Sequence, residues 1–135
     1  MPENLYNTLL KLLGKRFILH LNKSEEGGAI MIMEKNGAAF ARTYWFNDTK
    51  HEITFDFLSV EKKQRKKGIA TELIQGHIQT AKELGLQSTL WVNKETWMYN
   101  WYKRLGYVEY SSYEDIENAV WMKKQRRNSV KNAKS

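Results

Sequence analysis

Apolar positions set the reading of this chain. Leu5, Leu9, Leu10, Leu12 and Leu13 recur at near-helical spacing and Gly14 follows, which predicts an opening helix. From Arg16 to Leu21 the pattern alternates, with Phe17, Leu19 and Leu21 on one face, as in a short strand. Glu25-Glu26-Gly27-Gly28 reads as a turn, Ala29 to Met33 as a second strand, and Lys35-Asn36-Gly37 as a hairpin into Ala38 to Phe46. After the polar turn Asn47 to Lys50, Glu52 to Val60 is rich in β-branched and aromatic residues and predicts a fourth strand.

The period then changes. Ile69, Leu73, Ile74, Ile78, Ala81 and Leu84 mark an amphipathic helix closed by Gly85. Ser88 to Val92 predicts a strand, Glu95 to Leu105 a helix stopped at Gly106, and Tyr107 to Tyr110 and Ala119 to Lys123 the last two strands. An acidic turn with Glu114, Asp115 and Glu117 joins that final pair. The expected class is α/β (α+β): a mixed, mostly antiparallel sheet with flanking helices and a strand–helix–strand unit at its centre.

Length and charge narrow this picture. At 135 residues, 41% of them hydrophobic, the chain suits one core, so residues 1–123 are expected to form a single domain. No apolar run approaches the roughly 20 residues of a membrane span, so a soluble, cytoplasmic protein without membrane partners is expected. The absence of cysteine excludes disulfides, thiolate metal sites and a Cys nucleophile. The charge of +7 is unevenly placed: Lys123 to Ser135 carries six basic residues and no acid, and without it 16 basic residues face 15 acidic ones. Residues 124–135 therefore read as a disordered basic tail, a solubilising end or a weak contact for nucleic acid. No DNA- or RNA-binding motif accompanies it. A second cluster, Lys62, Lys63, Arg65, Lys66 and Lys67, sits between the fourth strand and the long helix.

That junction reads Gln64-Arg65-Lys66-Lys67-Gly68-Ile69-Ala70-Thr71. Small residues at a helix start let backbone N–H groups approach a ligand. Those amides have no intrahelical partner and carry the positive end of the helix dipole, so the corner suits an anion such as a diphosphate. It is neither a Walker loop nor the three-glycine dinucleotide fingerprint, and read alone it could equally be an ordinary polar turn.

With its surroundings, this stretch resembles the acetyl-CoA-binding motif of the GNAT acetyltransferase superfamily. Arg65, Gly68 and Ala70 occupy the motif's three defined positions, behind a strand and ahead of a helix. Downstream, Trp91-Val92 and then Tyr102-Lys103-Arg104-Leu105-Gly106-Tyr107 match the family's later strand and its tyrosine-bearing helix end. The resemblance covers roughly Glu52 to Lys123 and implies a sheet of about seven strands.

The resemblance further implies N-acetyl transfer from acetyl-CoA, as co-substrate, to a primary amine by direct attack, with no metal. Main-chain groups of Arg65, Lys66, Lys67, Gly68, Ile69 and Ala70 would hold the CoA diphosphate, with Thr71 nearby and Lys66 or Lys67 screening charge. The fourth strand would splay from its neighbour, and the backbone of Leu58 and Val60 would pair with the pantetheine arm. Asp56, or Glu52 nearer the strand edge, is the candidate base, although either could be a solvent-facing carboxylate. Tyr102 would protonate the departing thiolate, or serve only as a core aromatic. Where the family often has a pantetheine-contacting asparagine this chain has Glu95, and Asn93 would substitute. Trp91, Trp97, Tyr99 and Trp101 are expected to be mostly core, with one or two free to receive a cationic amine. The histidines at 20, 51 and 77 lack metal-ligand spacing and receive no role. Only Asn22 to Gly28 joins the first two strands, where the family places helices, so an open acceptor groove is expected, suited to a small molecule or to a protein or peptide amine. A monomer or homodimer would serve. The competing readings are a non-catalytic CoA-binding module and a basic, nucleic-acid-associated protein.

Overall fold

Helical and alternating periods both find their expected elements in the computed structural model, which describes residues 2–49, 51–61 and 68–125. The leucines of α1 (Pro2–Leu13) divide as a helix requires: Leu5, Leu9 and Leu13 are buried, while Leu10 and Leu12 face outward. Strands β1 (Phe17–Lys23), β2 (Gly27–Glu34), β3 (Ala39–Phe46) and β4 (Glu52–Val60) follow, then α2 (Ile69–Leu84). Beyond it come β5 (Gln87–Asn93), α3 (Trp97–Arg104), β6 (Tyr107–Ser112) and β7 (Ala119–Lys124). The architecture is mixed α/β, with three helices and a mostly antiparallel sheet of seven strands. The chain falls into two compact units, residues 1–88 and 89–135.

In the first unit β1 to β4 form an antiparallel meander. Cross-strand rows Leu19–Ile32–Ala41–Phe57 and Leu21–Ile30–Thr43–Phe55 line the face that carries α2. The opposite face presents His20–Met31–Arg42–Asp56 and Asn22–Ala29–Tyr44–Thr54. Burial of the apolar side chains in these rows is the main stabilising term, each fully buried Leu, Ile or Phe worth roughly 1.5–3 kcal/mol. The turn after β2 is held by Glu34, a buried carboxylate that accepts the amides of Asn36 and Ala38 at 2.8 and 3.0 Å.

One expectation needs correction here. Gly27 and Gly28 are not turn residues; they begin β2, and only Ser24 to Glu26 lie between β1 and β2. The reason is packing: a Cβ on Gly28 would lie 2.5 Å from the Trp45 ring, and one on Gly27 would lie 2.1 Å from the Trp45 carbonyl oxygen. Side-chain-free residues let the strand run on beneath that indole.

In the second unit, the strand order is β5–β7–β6, all antiparallel. Leu90, Met122, Val92 and Val120 are buried on one side. Trp91, Tyr113 and Trp121 stack on the other, with ring centroids 4.6 and 5.3 Å apart. No helix among the described residues is long and apolar enough to cross a membrane.

Candidate acyl-CoA site

The strand-to-helix unit β4–α2 carries the site residues that the first unit describes. Pairing with β3 is regular until Ala41 opposes Phe57 and Phe40 opposes Ser59, so Leu58 is an extra residue without a β3 partner. Such a bulge turns backbone groups out of the ladder and re-aims neighbouring side chains. Leu58 is accordingly exposed, whereas Val60 is buried and again opposes Ala39.

Across the junction, Gly68 takes a left-handed conformation, φ 79° and ψ 7°, as the N-cap of α2. It offers no capping side chain, and a Cβ placed on it would meet nothing within 4 Å among the described residues. The first-turn amides of Ile69, Ala70 and Thr71 have no partner within the helix and lie at the positive end of its 16 residues. An acid in that turn, Glu72, would oppose an anion; the Arg16 guanidinium offsets it at 2.7 Å. Arg65, Lys66 and Lys67 lie outside the described residues.

Asp56 lies mid-strand on the face opposite α2, as alternation requires, and its carboxylate is engaged. Its Oδ2 accepts Arg42 Nε at 3.0 Å and lies 2.9 Å from Nη2. The guanidinium also sits 4.8 Å from the Tyr44 ring centre. Glu52 is half-buried at the start of the same strand. Beside this row a cleft of about 440 Å³ runs past Asn22, Gly28, Arg42, Tyr44 and Phe46, next to the short β1–β2 turn.

One fully buried polar group of the unit was assigned no role on sequence grounds. His77 on α2 is fully enclosed; its Nδ1 lies 3.0 Å from Thr43 Oγ1 on β3 and its Nε2 2.6 Å from Ser88 Oγ on β5. Burial pushes its pKa down to about 3, so the ring is neutral. Its burial was legible, since positions 73, 74, 77 and 81 share one helical face. Its partners were not, because they come from strands 34 residues upstream and 11 downstream.

Tyr102 and Asn93 belong to the second unit. Tyr102 is buried, its ring 5.2 Å from Trp101 and 5.9 Å from Tyr107. The Asn93 side-chain oxygen accepts the Glu95 amide at 2.8 Å, closing the turn before α3. The expectation of a mostly core aromatic group fails: Trp97 is 63% exposed, and Trp91, Tyr99 and Trp101 are only half-buried. Tyr102 and Tyr107 fill that interior instead, since α3 is short and turns one face inward. Tyr99 donates to the Glu109 carboxylate, and that hydrogen bond raises its phenol above the ordinary range.

A family model described as Acetyltransferase (GNAT) family matches residues 5–107, well over half of the chain. The chain belongs to the GNAT acetyltransferase family. Solved structures of similar fold include an acyl-CoA N-acyltransferase from Pseudomonas aeruginosa, 16% identical, with a TM-score of 0.59 over 93% of each chain. Escherichia coli ElaA is 15% identical at TM-score 0.59, over 76% of this chain and 70% of its own. The ribosomal-protein-S18-alanine N-acetyltransferase from Escherichia coli is 21% identical at TM-score 0.57, with the same coverage. At these identities the likeness is one of fold. No curated protein matches this GNAT chain in sequence.

Proposed function

We propose that this GNAT chain transfers an acetyl group from acetyl-CoA to a primary amine. The observation that carries this reading is the βα corner itself: a bulge at Leu58, then left-handed Gly68 at the N-terminus of α2. Both features suit a ligand that is anionic at one end and presents a carbonyl at the other. Acetyl-CoA supplies the acetyl as a thioester, whose C–S bond breaks as the C–N bond to the amine forms.

The residues present fit that co-substrate. Amides of Gly68, Ile69, Ala70 and Thr71 would take the diphosphate, with Arg65, Lys66 and Lys67 adding positive charge from the adjoining loop. Backbone groups of Leu58 and Val60 would pair with the pantetheine arm and orient the thioester carbonyl toward an N–H donor. Asp56 or Glu52 would accept the amine proton, directly or through water. Arg42, bound to one oxygen of Asp56, would fix that carboxylate in direction. Tyr102 would donate a proton to the leaving sulfur, and Asn93 would contact the pantetheine arm.

A silent CoA-binding module is the second reading, favoured by the engagement of Asp56 with Arg42 and the burial of Tyr102. Calorimetry with acetyl-CoA, followed by a thiol-release screen against polyamines, aminoglycosides, amino acids and basic peptides, separates the two. Gly68→Glu puts bulk and negative charge at the diphosphate corner and should abolish binding in a folded variant. Undiminished affinity there would refute the site.

A further inference from the structure

We propose that His77 is a positioning residue that pins α2 in register against the strands, and so sets the separation between the Gly68–Thr71 amides and the Leu58 bulge. The inference rests on the reading of that corner as an acetyl-CoA site. Three residues of the first unit, Thr43, Phe55 and Ser88, meet at this one ring. It bonds β3 through Thr43 and β5 through Ser88, and it lies 5.2 Å from the Phe55 ring of β4. Phe55 opposes Thr43 in the ladder and stands three residues before Leu58. Along the helix, His77 stands nine residues from Gly68, about 13 Å of rise.

The other buried side chains on that helix face, Ile69, Leu73, Ile74 and Ala81, pack without direction, and Thr80 donates back to its own helix at Gly76. Apolar packing resists separation of helix and sheet more than it resists a small slide between them. The paired hydrogen bonds of a buried imidazole are directional, and a shift of 1 Å would break their geometry. A ligand gripped at two places feels such a shift, because its second contact depends on the distance from the first. A ligand gripped only at the diphosphate does not.

The test uses the whole chain and two ligands, acetyl-CoA and ADP, whose diphosphate engages the helix end alone. His77→Leu removes both bonds, and His77→Gln retains a polar group toward Ser88. In calorimetry, His77→Leu should bind ADP within about twofold of the unmodified chain and acetyl-CoA at least about tenfold more weakly. His77→Gln should recover most of that loss. An equal loss for both ligands would make His77 a general packing residue and overturn the proposal, as would no loss for either. Should His77→Leu fail to melt cooperatively, Thr43→Val removes one bond at similar volume and is judged by the same comparison. An unmodified chain that binds neither ligand defeats the site reading and this inference with it. One that binds both, beside a variant that does the same, defeats this inference alone.

Discussion

Acid should destabilise this protein at His77, and the size of the effect follows from the burial of that residue. In the unfolded chain His77 titrates near pKa 6.5, whereas in the folded chain enclosure holds it neutral down to about pH 3. Between those values the unfolded state binds a proton that the folded state refuses, so stability falls as pH falls. Above pH 6.5 neither state is protonated there and the group contributes no pH dependence. By pH 5, 1.5 units below the unfolded pKa, the loss is about 2 kcal/mol. Against a usual total of roughly 5–15 kcal/mol this is a large fraction. Urea unfolding at pH 8, 7, 6 and 5 measures it, with His77→Gln as the reference. The other two histidines and every carboxylate are common to both chains, so the difference in slope isolates this residue. With a urea slope of about 2 kcal/mol/M, the midpoint should fall by about 1 M more in the unmodified chain than in the variant. Parallel curves would mean that His77 is protonated, or reached by water, in the folded state, and the buried Thr43–His77–Ser88 arrangement would be wrong.

Two more outcomes are expected. A Cβ on Gly76 would lie 2.8 to 3.0 Å from side-chain carbons of Leu13, where α2 meets α1. Gly76→Val should therefore cost about 1–3 kcal/mol by chemical denaturation, and pairing it with Leu13→Ala should give a favourable coupling of about 1 kcal/mol; additive losses would show that the helices do not meet there. If Asp56 is the base, Asp56→Asn should lower turnover by about 100-fold or more while leaving acetyl-CoA affinity within about twofold; unchanged turnover would pass the role to Glu52.

Some of this protein was readable one residue at a time. The bounds of β4 and α2 match the sequence reading residue for residue, β4 from its run of β-branched and aromatic residues and α2 from a 3.6-residue period that stops at Gly85. Gly68 was legible as the hinge between them, since an exposed left-handed N-cap favours glycine whatever packs nearby. The bulge at Leu58 was not, because it is a property of the pairing of β4 with β3 rather than of β4. Nor was the Arg42–Asp56 ion pair, which joins residues 14 apart and exists only in that register.

What the linear order determined is therefore the set of elements, their faces and the amide-rich corner at Gly68, all of which follow from local period and backbone freedom. The tertiary structure alone decided which strand met which, that Trp45 lies over Gly28, and that one imidazole bridges Thr43 and Ser88. Those choices depend on distances across the core that no local pattern contains. A hydrogen bond between side chains has a range of about 3 Å, and only the folded chain brings its ends that close.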